Sequence, residues 1–229
     1  AYWQQLFADP EQLTPQRAMQ AAVLLFSMAR GQEALPWLAA ARGKVGEQSD
    51  EDVDYWRLSG QAALMYGDTA LAIEAFVHLI RSPDAEIADF DVLTRLLIDT
   101  QPELALQLSV EAWEKFDQPR YFMQALTLAS LAQDLDRIDQ LLARLDPGPE
   151  AGKYALAPFL DNAEFYRILG NQQQMRGKVA EARRTYQQGL QRLPTSAALR
   201  QALLWLLVDS RDVAGLRDLL AVHESQWAQ

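Results

Sequence analysis

The chain has 229 residues, 49% hydrophobic and 23% charged, an ordinary globular composition with room for one large core or for about six units of 34 residues. It has no cysteine, which excludes disulfides and thiolate chemistry and leaves the redox compartment open, and no apolar run approaches the roughly 18–20 residues that span a membrane. A net charge of −10 argues against a nucleic-acid ligand, whose phosphates need a basic footprint, and permits a cationic partner.

In chain order, apolar residues recur at helical spacing in nearly every segment, and sustained strand alternation is absent. The start, Ala1-Tyr2-Trp3, lacks both Met and the basic-then-apolar pattern of a signal peptide, and reads as the beginning of a fragment or a processed chain. A helix over Thr14–Arg30 is expected to pair with one over Glu33–Arg42, and Val53–Tyr66 with Thr69–Arg81. Ile87–Asp99 then pairs with Pro102–Phe116, and Arg120–Gln133 with Leu135–Leu145. A long helix over Tyr154–Arg176, whose start reads as a separate turn before Asp161, pairs with Val179–Arg192, and Ser196–Val208 pairs with Val213–Glu224. Gly31, Gly67, Pro83, Pro102, Pro119, Gly177 and Pro194 punctuate these helices. Pro15, Pro102 and Pro119 suit first turns, where a missing N–H costs nothing. The Pro/Gly-rich stretch from Asp146 to Gly152 reads as a long loop between pairs.

Two pairs share one spacing. Four residues separate Trp56 from Gly60 and Tyr166 from Gly170, and seven separate Gly60 from Gly67 and Gly170 from Gly177. Five then lead to Ala72 and Ala182, and four more to Phe76 and Tyr186. Gly60 and Gly170 are expected to let paired helices approach closely, and Gly67 and Gly177 to leave the first helix through a positive-φ turn. Ala72 and Ala182 sit at the crossing, Phe76 and Tyr186 fill the groove toward the next pair, and Pro194 ends its helix.

This pattern resembles the tetratricopeptide (TPR) repeat, with clear units over 53–86 and 163–196 and degenerate helix pairs over 14–46, 87–117, 118–150 and 196–229. The resemblance implies an all-α, right-handed α-solenoid of about six antiparallel pairs forming one solenoid fragment. It places partner contacts on the concave face of each first helix. Those residues are Asp54, Arg57, Gln61, Leu64 and Met65 in one unit and Glu164, Arg167, Asn171, Gln174 and Met175 in the other. Arg167 and Asn171 match part of the carboxylate clamp of chaperone-binding members, but Ala198 and Ala202 stand near where its other basic groups belong, which disfavours a chaperone tail. Trp3, Leu6, Phe7 and Trp227 are expected to continue into further helices or to pack on a neighbouring copy.

Chemistry-bearing patterns are sparse. His78 and His223 are the two histidines, and no metal-binding or phosphate-loop motif occurs. The acidic run Asp50-Glu51-Asp52-Val53-Asp54 lacks the glycine and later glutamate of a calcium loop and suits a helix N-terminus. Asp134, Asp136 and Asp139 read as a solvated face rather than an acid–base pair. Neither an enzyme, a cofactor nor a metal is expected. Charge is uneven: 46–103 holds thirteen acidic and three basic residues, whereas 163–200 holds seven basic and two acidic, which reads first as solvated helix faces and, functionally, as two binding surfaces of opposite field.

The wording of the repeats is closer still to one group. Asp54-Tyr55-Trp56-Arg57-Leu58, Phe90 to Leu96, Pro102 to Leu108 with Ala112-Trp113, and Ala202 to Asp209 resemble the periplasmic TPR region of Pel-type exopolysaccharide exporters of the outer membrane. That resemblance implies a periplasmic array, ahead of a β-barrel absent from this chain, that recruits a polysaccharide-modifying protein and guides a cationic polymer, with membrane contact only through the barrel. A cytosolic TPR adaptor and a structural spacer are the other readings.

Overall fold

The computed structural model describes residues 14–44, 50–145 and 154–227, with the side chains of 43, 50–52 and 222–227 left aside. Trp3, Leu6, Phe7, the 146–152 loop and the side chains of His223 and Trp227 lie outside the described residues. Among those described there are twelve α-helices and no β-strand, and no helix is long and apolar enough to cross a membrane. The chain divides into two compact units, 1–108 and 109–229.

The first unit begins with α1 (Pro15–Ser27), capped by the Thr14 hydroxyl and carrying Pro15 in its first turn. A 3₁₀ turn (Gly31–Ala34) leads into α2 (Leu35–Ala41). The second helix of the first pair is therefore shorter than expected and tightens at its start. Next come α3 (Asp50–Tyr66) and α4 (Thr69–Arg81), the most intimately packed pair of this unit. Asp68 caps α4 through the Leu71 N–H at 3.0 Å. The unit continues with α5 (Ile87–Leu97), which packs on α4, and into α6 (Pro102–Phe116). The Tyr55 hydroxyl donates to the Leu38 carbonyl and ties α3 to α2.

The second unit holds the end of α6, then α7 (Pro119–Leu131), α8 (Leu135–Leu142), α9 (Ala163–Met175), α10 (Val179–Arg192), α11 (Ala197–Asp209) and α12 (Val213–Trp227). In place of a helix from Tyr154, the chain makes a 3₁₀ turn at Ala157–Phe159 and restarts at Ala163, with Asn162 as the cap. That turn buries Phe159 within a run of aromatic contacts. Trp113 meets Phe122 at 4.7 Å between centroids, Phe122 meets Phe159 at 4.7 Å, and Phe159 meets Phe165 at 5.8 Å.

Glycine sets the approach of α9 and α10. A Cβ on Gly170 would lie 2.2 Å from the Tyr186 ring, and one on Gly60 would lie 2.9 Å from Phe76. Phe76 and Tyr186 therefore also close their own pairs by lying on the glycine of the partner helix. Tyr186 also joins a buried cluster with Leu199 and Leu203 of α11. Ala72 and Ala182 are buried at the crossings.

Five first-of-pair helices leave through a left-handed turn residue: Ala29 (φ +57°), Gly67 (+79°), Gln133 (+56°), Gly177 (+75°) and Arg211 (+56°). Three of these residues precede an aspartate, Asp68, Asp134 or Asp212, whose carboxylate accepts a backbone N–H at the start of the next helix. Three of the four degenerate pairs thus keep the turn without the glycine that marks it in sequence, and α5–α6 does not have it.

Candidate partner-binding faces

On α3 of the first unit, Asp54, Gln61 and Leu64 are exposed, and Met65 is 67% exposed. Arg57 is half-buried and committed inward. Its guanidinium lies 3.1 Å from Glu86 and 3.5 Å from Asp89, and Asp89 also accepts the Glu86 N–H at 2.8 Å to complete a capping box on α5. Asp89 is buried, so this pair joins α3 to the start of α5 and leaves Arg57 little freedom to meet a ligand. Beside it the His78 imidazole stacks on the Trp56 indole with centroids 4.1 Å apart.

On α9 of the second unit, Glu164 and Arg167 bind each other, with Nε to Oε2 at 2.7 Å. Asn171 accepts a 2.6 Å hydrogen bond from the Tyr186 hydroxyl. Burial of Tyr186 pushes its pKa up to about 12, so it stays a donor throughout the physiological range. The two residues that match part of a carboxylate clamp are thus occupied within the chain. Gln174 is half-buried, and Met175 is 53% exposed.

Five of the seven basic residues of 163–200 pair with acids of the same unit, Arg167 with Glu164 as above. Arg176 is held by Asp136 and Asp139, Arg183 by Asp212, Arg192 by Asp161 at 3.6 Å, and Lys178 by Glu181 at 3.7 Å. Arg200 donates to the carbonyls of Pro194 and Thr195 at 3.2 Å. Asp136 and Asp139, read as a solvated face, clasp α8 to α9 through Arg176 and Gln172. The second unit carries 14 basic and 15 acidic side chains, whereas the first carries 7 and 16. The acidic field therefore belongs to the first unit, and the second has almost no net field.

The left-handed turns supply a register that spacing of glycines did not. Counting back from Arg211 as from Gly177 places Gln201 with Arg167, Trp205 with Asn171, and Val208 with Gln174. Counting back from Gln133 places Leu131 with Met175. The first-of-pair helices α7, α9 and α11 pack side by side in that order, so these positions belong to one face of the unit. On it Leu131 is 75%, Trp205 58% and Val208 43% exposed. An open groove of about 480 Å³, lined by Leu142, Leu156, Leu160, Phe165 and Tyr166 among others, lies between α8, the 3₁₀ turn and the α9–α10 pair.

A family model described as "Tetratricopeptide repeat" matches residues 7–229. Among solved structures, the chain is similar to the MamA protein, with a TM-score of 0.54 at 15% identity over 75% of this chain and 88% of that one. It is also similar to YrrB, described as a TPR protein with an unusual peptide-binding site, with a TM-score of 0.51 at 16% identity over 88% of this chain and 97% of that one. At such identities the likeness concerns the fold alone. No curated protein matches the chain in sequence.

Proposed function

The chain belongs to the tetratricopeptide repeat family, matched over residues 7–229, and from that premise we propose that it is a non-catalytic scaffold that holds a partner protein on the outward faces of its first-of-pair helices. The observation that carries this reading is the exposure of Asp54, Gln61 and Met65 on α3, and of Met175, Gln201 and Trp205 on α9 and α11, on helices that neighbours hold rigidly. Photo-crosslinking residues placed at Gln61 and Gln201 test it in the cell of origin. Adducts with a defined protein are expected from these positions and not from Gln187 on the second-of-pair helix α10. Crosslinking from Gln187 alone would sink the reading.

We further propose that this scaffold works in the periplasm as part of an outer-membrane, Pel-type exopolysaccharide export machine. There it recruits a polysaccharide-modifying enzyme and helps guide polymer to a β-barrel. The support is the likeness of the runs 54–58, 90–96, 102–113 and 202–209 to the periplasmic repeats of such exporters, together with an acidic first unit suited to a cationic polymer. In a gene encoding this chain, a downstream region of alternating segments of about ten residues each would agree with the export reading. Crosslinked partners that are all cytosolic would refute it and leave a cytosolic adaptor.

A further inference from the structure

We propose that the groove between α8, the 3₁₀ turn and the α9–α10 pair binds a single acyl chain ending in a carboxylate, with Tyr166 and Arg192 at the head of the ligand.

The groove opens where the repeat is interrupted. α8 has 8 residues, whereas the equivalent helices α4 and α10 have 13 and 14, so it stops more than one turn early. Leu142, Leu145, Leu156, Leu160 and Leu169 are left half-buried around an open space of about 480 Å³. That volume falls within the roughly 300–1,000 Å³ of small-molecule sites. Residues 146–153 contain no leucine, isoleucine, valine, methionine or aromatic residue that could fill it. An acyl chain would take the remaining leucine surface out of water. A peptide segment would bring backbone N–H and C=O groups that leucines cannot pair.

The polar groups of the lining define the head. Tyr166 is 4% exposed, and its ring lies on Gly189 of α10, where a Cβ would be 2.8 Å away. Its hydroxyl has no hydrogen-bond partner among the described residues, so the groove holds a nearly buried donor with nothing to receive it. Burial pushes the Tyr166 pKa up, which keeps that proton in place, and the Arg192 charge is felt at the same phenol. Among the described residues of the lining, Arg192 is the one that carries a charge, and Gln188 stands one turn before it on α10. The Arg192 contact to Asp161 is long, at 3.6 Å, and that acid is 82% exposed. The guanidinium therefore keeps N–H donors for a second carboxylate. The second unit has almost no net charge, so an anionic head meets no opposing field there.

Isothermal titration of the full chain with laurate below its micellar concentration tests the proposal. Laurate should bind, with affinity rising about two- to fourfold per methylene from octanoate upward, and acetate should not. Dodecyltrimethylammonium, the same chain with the opposite charge, should bind at least about tenfold more weakly. Arg192→Gln should erase that preference. Tyr166→Phe should weaken laurate about three- to tenfold without lowering the unfolding temperature, because the lost hydroxyl has no partner in the chain. Equal affinity for the cationic chain, no dependence on chain length, or laurate binding untouched by both substitutions overturns the proposal. So does a leucine-rich peptide that binds the groove when laurate does not, since the occupant would then be a protein segment. None of these outcomes bears on the crosslinks from Gln61 and Gln201, which test the scaffold reading separately.

Discussion

At Gly170 and Tyr186 one missing methyl group sets the distance between two helices. The ring lies on the glycine, is fully buried, and is pinned by its hydrogen bond to Asn171, so it has no room to give way. Alanine gains about 1 kcal/mol of helix propensity, but overpacking costs about 1–3 kcal/mol. Gly170→Ala should therefore destabilise the chain by up to about 2 kcal/mol in urea titrations. Gly60→Ala, facing a ring edge 2.9 Å away, should stay within about 1 kcal/mol of the unchanged chain. The same tyrosine carries a pH dependence. Its folded pKa of about 12 lies above the ordinary 10.0, so the folded state keeps a proton that the unfolded chain gives up. Stability from this group is complete below pH 10 and is lost as pH rises toward 12, by at most about 2–3 kcal/mol. Tyr55 and Tyr166, also pushed upward by burial, lose stability in the same direction. Denaturation midpoints should fall across this window, and Tyr186→Phe should flatten the fall while lowering the starting value through loss of the Asn171 bond. An equally steep fall in Tyr186→Phe would show that the other tyrosines account for it.

Among the elements, the turns carry the repeat more faithfully than the packing residues do. Gln133 and Arg211 hold φ near +56° without being glycine, a conformation that costs roughly 1 kcal/mol or more in a residue with a Cβ. Glycine at either site relieves that strain but adds entropy to the unfolded chain. Gln133→Gly and Arg211→Gly should each stabilise the fold by about 0.5 kcal/mol, read as a small rise in the denaturation midpoint. A clear loss would mean that their side chains make a contribution beyond the turn. These residues also explain what was legible. The helices Thr69–Arg81, Pro102–Phe116 and Val179–Arg192 have the bounds that proline, aspartate and glycine signals predict. The two clear repeats were readable because glycine faces an aromatic ring in both. In the degenerate pair α7–α8, Leu126 stands where Gly60 and Gly170 do, and Leu142 where Phe76 and Tyr186 do, so the signature is gone although the pair persists. The separate turn that the sequence suggests before Asp161 is the 3₁₀ turn at Ala157–Phe159, with Phe159 buried among Phe122 and Phe165. Spacing places the candidate residues on α3 and α9, but it does not show all of their commitments within the chain. Glu164, three residues before Arg167 on the same helix, is a partner that spacing offers, whereas Glu86 and Tyr186, the partners of Arg57 and Asn171, appear only once the helices pack. Trp205 went unread because its register depends on Arg211, which carries no glycine signal.

At the scale of the whole molecule, folding redistributes charge that looked like two opposed fields. Three residues of the basic run of 163–200, Arg176, Arg183 and Arg192, pair with Asp136, Asp139, Asp161 and Asp212 outside it, and the net charge of −10 resides almost entirely in residues 1–108. Within that unit Asp89 is buried against Arg57 and cannot face a ligand, whereas Asp54, Asp84 and Asp99 are exposed. Electrostatic capture of a cation should then depend on this unit alone and be screened over a Debye length of about 10 Å at 0.1 M salt. A soluble glucosamine oligomer, positively charged below neutral pH, is a direct probe. Its affinity should be measurable near 20 mM salt and fall steeply by about 300 mM. Replacing Asp54, Asp84 and Asp99 together by lysine should abolish it, while Asp209→Lys on the nearly neutral second unit should leave it unchanged. Should the oligomer bind the triple variant as well as the unchanged chain, the acidic unit is a solvated surface and has no part in guiding a polymer.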